Sequence, residues 1–454
     1  MSQLFRIDRA MNAPALKLAR WPLSLMTVAI LAACGDTATL AIEQGTGPNP
    51  QLPEPVKRLI PTVKVAPVKR WTENAKPIAA DDLQVAAFAR DLDHPRWVYV
   101  LPNGDVLVAE TAEPPKPEDA EGGGIRKKVQ GAMMSKAGAV VPSANRITLL
   151  RDADGDGVAE VRTQFISGLF SPFGMALIGD RFYVANADAL VSFPYKPGET
   201  HITAKPTFVA NLPGGLNHHW TKSLLASADG SKLYVGVGSN SNVAENGMEA
   251  ELNRAAILEI DPATGSSRVF ASGLRNPVGT AWEPQSKSLW VVVNERDEIG
   301  SDLVPDYLTS VRDGGFYGWP YSYYGQHVDE RVKPQNPELV AKAIKPDYAL
   351  GPHTASLGLS FASGSLLPER FRQGAFIGQH GSWNRDPPSG YKVLFVPFVD
   401  GKPSGTPITV LDGFLDAEGN AQGRPVGVSP DNTGALLVAD DVGNVIWRVT
   451  PKAR

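Results

Sequence analysis

The chain has 454 residues, and its 44 lysines and arginines nearly balance its 48 aspartates and glutamates, giving a net charge of -4. A charge this close to zero provides no basic surface for a nucleic acid, so we exclude that class of partner. The 44 glycines and 38 prolines are typical of many turns and few long helices, and the length allows two or three domains or one long all-β fold.

The first 33 residues have the pattern of a secretory signal. Four basic residues precede an apolar run from Leu23 to Ala33; they are Arg6, Arg9, Lys17 and Arg20. The only cysteine, Cys34, ends the sequence Leu31-Ala32-Ala33-Cys34. This sequence resembles the bacterial lipobox, in which the cysteine is acylated and becomes the mature N-terminus. A plain secretory signal with a chance cysteine is the alternative. One cysteine in this position also excludes an intramolecular disulfide and thiol catalysis.

The segment after Cys34 is predicted to connect an anchor to a domain. Gly35 follows the cysteine where aspartate could stand, which by resemblance to enterobacterial sorting favours the outer membrane. We therefore expect a periplasmic protein held to a bacterial membrane by a lipid at Cys34. Residues 34–80 are rich in Pro, Thr and Ala, which predicts a flexible or extended tether. Residues 81–454 are the predicted globular domain, whose apolar runs are too short for a transmembrane helix.

Six similar units repeat through the globular domain. Each has a proline or an equivalent residue, a short apolar strand, a turn such as Pro-Asn-Gly, and a second strand. The units begin at Pro95, Pro172, Trp220, Pro277, Leu357 and Pro425. Four short strands with their loops need about 40–50 residues, so the pattern predicts an all-β fold, a six-bladed β-propeller with inserts in the longer intervals. A β-sandwich with coincidental turns is the alternative. In a propeller, loops from different blades meet at one mouth of the central channel.

An acidic turn follows the first unit. Asp152, Asp154 and Asp156 alternate with small residues, and Gly157 stands at the sixth position, as in the first half of an EF-hand calcium loop. Thr163 occupies the twelfth position, where such loops have glutamate. We predict a structural calcium bound by the three aspartates, with an Asp-Gly hairpin turn as the alternative.

Polar residues also stand just before two of the units. His218 and His219 precede the third unit, and a histidine at the inner edge of a blade has a pKa suited to a general base. Arg275 and Asn276 precede the fourth unit, and an arginine there can bind a carboxylate or quinone oxygen through two hydrogen bonds. A structural role is the alternative for both pairs.

Two loops that follow predicted strands carry further candidate ligands. The loop from Asn294 to Asp302 contains Glu295, Asp297 and Asp302, hard oxygen ligands that suit calcium; a solvated acidic loop is the alternative. The segment from Gln379 to Arg385 offers His380 and Arg385 as donors to an anionic cofactor, and Arg424 offers another before the sixth unit; blade-closing loops are the alternative.

Other catalytic motifs are missing from the sequence. No glycine-rich loop follows a strand and opens a helix, so nucleotide binding is excluded. The Gly-x-Ser-x-Gly sequence of serine hydrolases is also absent.

Four motifs together resemble the soluble sugar dehydrogenases that depend on pyrroloquinoline quinone (PQQ), and among these the L-sorbosone dehydrogenase group. The resemblance covers residues 83 to 450. The motifs are Gly273-Leu274-Arg275-Asn276-Pro277, Gly315-Phe316-Tyr317-Gly318-Trp319-Pro320, the segment from Gly378 to Arg385, and the segment from Asp440 to Arg448.

This resemblance implies PQQ and calcium at the mouth of a six-bladed propeller. The family's catalytic histidine falls on His219 rather than His218, counted back from Asp229, and its Arg-Asn pair falls on Arg275 and Asn276. Its PQQ-binding arginine of the last blade falls on Arg424. The family's cofactor lysine has no match, and His380 or Arg385 stands in that region. Arg296-Asp297 replaces the Gly-Pro of the calcium loop in the glucose-oxidising members.

The expected activity is oxidation of a sugar hemiacetal or a sugar aldehyde to a lactone or an acid. In this interpretation His219 removes the hydroxyl proton, Arg275 polarises the quinone, and the electrons leave to a respiratory acceptor. A calcium-dependent lactonase and a non-catalytic envelope propeller that binds partners are the alternatives. The lactonase would need a Glu/Asn/Asp metal cluster in the channel.

Overall fold

The computed structural model describes residues 35–56, 58, 62–116 and 141–453. Its sheets form six antiparallel blades of a β-propeller, which confirms the predicted fold. The signal segment and Cys34 lie outside the described residues, as do residues 117–140 of the insert after blade 1's second strand. Within the described ranges no helix is long and apolar enough to cross a membrane.

The strands are short and follow one another around the ring. Three precede the first blade: β1 (Thr46–Gly47), β2 (Ile78–Ala79) and β3 (Leu83–Ala89). Blade 1 contains β4 (Pro95–Val100), β5 (Val106–Glu110), β6 (Arg146–Arg151) and β7 (Val161–Ile166). Blade 2 contains β8 (Met175–Ile178), β9 (Arg181–Ala185), β10 (Ala189–Pro194) and β11 (Thr207–Asn211). Blade 3 contains β12 (Lys222–Ala226), β13 (Leu233–Val237), β14 (Ala256–Ile260) and β15 (Ser267–Ser272).

The second half of the ring carries one long excursion. Blade 4 contains β16 (Pro277–Trp282), β17 (Leu289–Val293), β18 (Pro305–Val311) and β22 (Tyr348–Pro352). Between its last two strands lie β19 (Gly315–Phe316), β20 (Ser322–Tyr323), β21 (His327–Val328) and the helix α1 (Pro337–Lys342). Blade 5 contains β23 (Ser356–Phe361), β24 (Gly374–Gln379), β25 (Lys392–Val399) and β27 (Ile408–Asp412), with β26 (Lys402–Pro403) beside β25. Blade 6 contains β28 (Pro425–Pro430), β29 (Leu436–Asp440) and β30 (Val445–Pro451). Single 3-10 turns occur at Met248–Glu251 and Glu369–Phe371.

Glycines let the innermost strands of neighbouring blades approach closely. A Cβ on Gly279 would lie within 3 Å of the backbone of Leu359 in the next blade, and one on Gly358 would overlap the backbone oxygen of Val426. Gly427 has the same relation to the backbone oxygen of Arg96. The repeated glycines of the sequence units are therefore packing requirements of the blade-to-blade contact.

The residues beside these glycines fill the axis of the channel. One side chain from each blade belongs to a single buried apolar cluster; these are Trp97, Phe173, Trp220, Val278, Leu357 and Val426. The Trp97 and Phe173 rings lie 4.7 Å apart. The six blades therefore share one apolar cluster at their innermost strands.

The sheet topology brings one end of every blade to the same mouth. In each blade the first and second strands are antiparallel, so residues before the first strand lie beside residues after the second. Starts of first strands therefore place His219, Arg275 and Arg424 at one mouth, and ends of second strands place His380 and Asp441 there. The turn from Asp152 to Glu160 joins β6 to β7 at the opposite end.

The ring closes by pairing the two ends of the globular domain. Strand β3 is the outer strand of blade 6, where Leu83 pairs with Pro451 and Ala89 with Ile446. The last blade therefore takes three strands from the C-terminal end of the chain and one from near the N-terminal end. The core under this seam includes the fully buried ring of Trp447.

The described residues of 35–80, predicted as a flexible or extended tether, form an extended segment that lies against the propeller. We call this segment the N-terminal strap. Strand β1 pairs with β22 of blade 4, and β2 pairs with β27 of blade 5. Between them, Trp71 Nε1 donates to Asp440 Oδ2 at 2.6 Å. An extended, proline-rich chain satisfies its backbone by adding two-residue strands to exposed sheet edges, so it needs no apolar periodicity of its own.

Candidate active site

His219 lies half-buried at the mouth in a fixed tautomer. Its Nδ1 is 2.9 Å from the carbonyl oxygen of Ser239, which can only accept, so Nδ1 carries the proton. The Ser239 hydroxyl donates to the Ser241 carbonyl and is held in place. Nε2 of His219 has no hydrogen-bond partner among the described residues, so the protein leaves its lone pair unused. Burial, and then the charge of Arg275, lowers the pKa of His219 well below its ordinary value. A neutral imidazole with a free lone pair is the form a general base requires.

Arg275 is buried, and other parts of the protein bind all three of its guanidinium nitrogens. Its Nε and Nη2 donate to the carbonyl and side-chain oxygens of Asn242, at 3.3 and 3.0 Å. Its Nη1 donates to the Glu295 carbonyl at 2.7 Å, and Nη2 also donates to Asp297 Oδ2 at 2.9 Å. Arg275 therefore contributes its charge to the mouth, while its donors hold the loop that follows β17.

Asn276 is the polar residue with an open acceptor beside His219. Its Oδ1 is buried and has no hydrogen-bond partner among the described residues. Gly238 makes room for both neighbours, because a Cβ there would overlap Asn276 Oδ1 and the Cβ of His219. A side chain at position 238 would therefore displace Asn276 or His219.

The three carboxylates predicted as calcium ligands in the loop after β17 are not brought together. Asp302 accepts from the backbone nitrogens of Thr39 and Leu40 in the strap, at 2.6 and 3.0 Å. Asp297 accepts from Arg275 and, at 2.7 Å, from Asn384. In the described part of the chain these carboxylates form no metal-binding group. Arg275, Asn384 and backbone nitrogens of the strap occupy the oxygens of Asp297 and Asp302.

Glu295 and Asp297, two carboxylates of this loop, have opposite electrostatic surroundings. Burial raises the pKa of Glu295 to about 7, and among the described residues only the backbone nitrogen of Arg296 donates to its carboxylate. Burial also opposes ionisation of Asp297, but Arg275, His353 and Asn384 outweigh it and hold the pKa of that carboxyl well below its ordinary value. Asp297 is therefore an anion bound to Arg275, and Glu295 is a carboxyl that titrates near neutral pH.

Asp441 connects three blades at the other side of the mouth. It accepts from Arg96 Nη1 at 2.9 Å and from His380 Nε2 at 2.9 Å. His94 Nδ1 bonds the Asp441 carbonyl at 3.1 Å. Burial lowers the pKa of His380 to about 4, against the opposing charge of Asp441. His380 is thus neutral with its proton on Nε2, and its Nδ1 remains an acceptor.

Arg96 is the main site residue that sequence reasoning missed. Its guanidinium carbon lies 5.6 Å from the centre of the Trp220 ring, and its buried Nε has no hydrogen-bond partner among the described residues. One signal was available in the sequence. Arg96 stands beside the proline that begins the first unit, and Arg424 and Arg275 stand just before the prolines that begin the sixth and fourth units. His94 and Asp441 were missed with it, although Asp441 lies in a quoted motif.

The two arginines predicted beside His380 differ in availability. Arg424 lies 4.8 Å from the Tyr391 ring centre and makes only long bonds, 3.5 Å to the His380 carbonyl and 3.4 Å to that of Ala66, and its Nε is unpartnered among the described residues. Arg385 donates from every guanidinium nitrogen, to Ser301, Pro387 and Asp302. Arg424 can bind a ligand at the mouth, whereas Arg385 joins two loops.

The acidic turn at the opposite end of blade 1 does gather its carboxylates. One ligand oxygen from each of Asp152, Asp154, Asp156 and Glu160 lies within 4.8 Å of the others. The first three were predicted, and Glu160 replaces the missing twelfth-position glutamate. In the structure Asp152 accepts from the backbone nitrogens of Gly155 and Gly157, which is the geometry of a tight acidic turn.

The donor set at the mouth fits a planar, anionic cofactor. Arg96 and Arg424 bring two guanidinium groups, each with a buried Nε that has no hydrogen-bond partner among the described residues, and Trp220 of the apolar cluster lies 5.6 Å from the guanidinium carbon of Arg96. PQQ is a planar quinone with three carboxylates, so this combination of cations beside an apolar cluster matches its chemistry.

Comparison with known proteins assigns the chain to a family. The family model described as TrAA12-like matches residues 140–306 and 326–452, more than half of the sequence. The chain belongs to the TrAA12-like family. The match includes His219, Arg275, His380, Arg424 and Asp441, but not Arg96 or the strap.

Two relatives of this TrAA12-like protein match by sequence. It is 29% identical over 293 residues to an uncharacterised protein of Borreliella burgdorferi, covering 62% of this chain and 76% of that one. It is 27% identical over 263 residues to the PQQ-dependent pyranose dehydrogenase of Coprinopsis cinerea. The second match covers 48% of this chain but only 35% of the fungal enzyme.

Solved structures show the same fold. The PQQ domain of the Coprinopsis cinerea pyranose dehydrogenase superposes with a TM-score of 0.66 at 21% identity, covering 85% of this chain and all of that domain. The soluble aldose sugar dehydrogenase of Escherichia coli gives a TM-score of 0.56 at 17% identity, over 82% of this chain and all of the other. The relatives of this TrAA12-like protein thus include PQQ-dependent pyranose dehydrogenases and aldose sugar dehydrogenases. The narrower resemblance to L-sorbosone dehydrogenases is not confirmed.

Proposed function

We propose that the protein is a PQQ-dependent dehydrogenase that oxidises a sugar hemiacetal or sugar aldehyde, of aldose or sorbosone type, to the lactone or acid. The observation that carries the proposal is His219, a desolvated imidazole with Nδ1 fixed on Ser239 and Nε2 without a partner among the described residues. The respiratory electron acceptor is part of the proposal and follows from the expected location.

His219 is the proposed base. Its Nε2 takes the proton of the substrate hydroxyl, and the hydrogen bond from Nδ1 to Ser239 stabilises the imidazolium that forms. The charge of Arg275 opposes that imidazolium, so it returns the proton readily to water. Asn276 Oδ1 stands beside the same position and can accept from a second substrate hydroxyl.

Arg96 and Arg424 are the proposed holders of the cofactor. When bound, PQQ would supply the two-electron acceptor for the hydride that leaves the substrate carbon. Asp441 fixes Arg96 and His380 on one side of the mouth, and Asp297 fixes Arg275 on the other. The two carboxylates hold Arg96 and Arg275 in place on opposite sides of the mouth.

Calcium enters the proposal at the acidic turn. Asp152, Asp154 and Asp156, joined by Glu160, supply the hard oxygens that the ion prefers. The turn lies at the far end of blade 1, so an ion there would stabilise the blade and leave the reaction unaffected.

The proposed location is the periplasm, with a lipid at Cys34. Asp36 accepts from the backbone nitrogen of Ser301 at 2.9 Å, so the strap is bound to the propeller two residues after the cysteine. Two residues span about 7 Å at most. A lipid there would hold the mouth side of blade 4 close to the membrane surface.

The first test is reconstitution of residues 35–454 with PQQ and calcium. Dye reduction is measured with a panel of aldoses and sugar aldehydes, for the wild type, His219→Ala, and His201→Ala as a control at an exposed histidine. We expect activity that requires PQQ, falls by about 10²- to 10⁴-fold in His219→Ala and is unchanged in the control. Absence of PQQ binding would overturn the proposal in favour of an envelope binding propeller, and calcium-dependent lactone hydrolysis without PQQ would favour the lactonase.

A further inference from the structure

A cavity of about 750 Å³ lies beside the mouth, outside the site described above. The strap forms one wall, the loop from Glu298 to Gly300 the floor, and the turn from Tyr323 to Arg331 the opposite wall. Asn384 lies in its lining, and the same side chain donates to Asp297, the partner of Arg275. One side chain thus separates the cavity from the residues of the mouth.

The strap wall is firmly attached. The backbone nitrogen of Val56 donates to the Ile299 carbonyl at 2.9 Å, and the Thr62 hydroxyl donates to the Asp36 carbonyl at 2.8 Å. The Ser301 hydroxyl donates to the same carbonyl at 2.7 Å. Contacts from separate parts of the strap therefore define the shape of the cavity.

The opposite wall offers an aromatic face. The exposed His327 ring stacks on Tyr323 with 5.6 Å between ring centres and 21° between planes. The buried Tyr323 holds the His327 ring in one orientation. A pyranose ring has an apolar C–H face that packs on a flat ring and hydroxyls that need hydrogen-bond partners at its edge.

The charges around the cavity are largely paired with one another. Arg331 Nη1 lies 2.7 Å from Glu298 Oε2, and Arg296 Nε lies 2.8 Å from Asp329 Oδ2. Arg296 is 1% exposed, and its Nη1 and Nη2 have no hydrogen-bond partner among the described residues. Five carboxylates and two guanidinium groups line the cavity. The lining is polar and has more carboxylates than guanidinium groups, so it repels an acidic ligand and offers hydrogen-bond partners to a neutral polyhydroxyl ligand.

We propose that this cavity is a saccharide subsite that holds the distal rings of a neutral oligosaccharide whose terminal hemiacetal reacts at His219. The inference rests on the proposed function, and it extends that function from single sugars to short chains. The volume lies within the range of about 300–1,000 Å³ typical of ligand pockets. The strap and Tyr323 lie outside the segments that match the family model, whereas the loop from Glu298 to Gly300, His327 and Asn384 lie within them.

Binding to residues 35–454 tests the subsite without PQQ or turnover. The probes are maltotriose, cellotriose and xylotriose, each compared with its own monosaccharide by titration calorimetry or saturation-transfer NMR. The variant is His327→Ala, and Phe208→Ala removes another exposed ring, from the outer strand of blade 2, as the control. We expect at least one trisaccharide to bind more tightly than its monosaccharide, and His327→Ala to weaken that binding about tenfold while Phe208→Ala leaves it unchanged.

Steady-state kinetics on the PQQ-loaded protein separates the two proposals. The subsite predicts a KM for the trisaccharide that rises about tenfold in His327→Ala, with kcat and the monosaccharide KM unchanged. Trisaccharides that bind no better than monosaccharides, or binding that survives His327→Ala, would overturn the subsite even if monosaccharides are oxidised. Binding that depends on His327 in a protein without PQQ-dependent turnover would support the subsite and overturn the dehydrogenase.

Discussion

At the channel mouth the arginines divide into two kinds. Arg275 is buried with every guanidinium nitrogen bound by the protein, so it acts by charge and by fixing the loop that contains Asp297. Arg96 and Arg424 are held at one side and keep an unpartnered Nε. Residue type alone does not separate these roles, because the difference lies in which acceptors the neighbouring blades supply.

Replacement of Arg96 tests whether an arginine with an unpartnered Nε binds the cofactor. Arg96→Met keeps the length of the side chain but removes the charge and the donors, so we expect PQQ affinity to fall about tenfold or more, which corresponds to about 1.4 kcal/mol. Quenching of tryptophan fluorescence by PQQ measures the affinity. Arg268→Met removes an arginine that is ion-paired on the outer strand of blade 3 and serves as the control. Equal affinities of the two variants would contradict the role of Arg96.

Glu295 predicts a pH dependence of stability. Burial raises its pKa in the folded state from 4.5 to about 7, so the folded state binds the proton more tightly than the unfolded chain does. The free energy of unfolding should therefore fall as pH rises from about 4.5 to about 7. Glu295→Gln removes this contribution: we expect no change at pH 4 and a gain of at most about 3 kcal/mol at pH 8.

Urea unfolding of both proteins from pH 4 to pH 8 measures the difference. Asp440, whose pKa burial raises to about 6, is present in both and cancels in the comparison. Parallel pH profiles of the two proteins would show that Glu295 does not carry the proton.

At the scale of elements, the blades were predictable and the strap was not. A proline begins β4, β16 and β28, and a glycine within β16, β23 and β28 lets the next blade approach closely. The strap pairs through two-residue strands, too short for any periodicity, and its composition indicates only an extended chain. Asp441 and Arg96 were invisible as partners for a related reason, since 345 positions separate them and only ring closure brings them together.

The glycines of the innermost strands give a prediction about blade packing. Gly358→Ala adds a Cβ that overlaps the Val426 backbone oxygen, which cannot move without disturbing blade 6, so we expect a loss of about 1–3 kcal/mol or more. Thermal unfolding measures it. In Gly45→Ala the nearest atom to the new Cβ is a proline side-chain carbon at 3.2 Å, and the loss should be smaller. An equal loss in both variants would show that the close approach of blades is not what requires the glycine.

At the scale of the whole molecule, the strap and the closing strand have separable roles. A chain that begins at residue 80 lacks the strap but keeps β3, so we expect a folded propeller with a lower melting temperature and no His327-dependent saccharide binding. A chain that begins at residue 91 also lacks β3, which leaves the edge of β30 unpaired. We expect this second chain to lose cooperative unfolding and to aggregate, as measured by near-ultraviolet circular dichroism and size-exclusion chromatography. Identical behaviour of the two chains would contradict the closing role of β3.

The pairing of β3 with β30 in blade 6 also determines when the ring can close during synthesis. Leu83 pairs with Pro451, so the first strand of the ring is synthesised long before its partner exists. At about 5–20 residues per second, that wait is on the order of 20 to 70 s. Throughout it the polypeptide has five blades at most and an open edge, and only the final residues convert it into a closed ring. The protein therefore completes its fold in a single late event, after the whole chain has emerged.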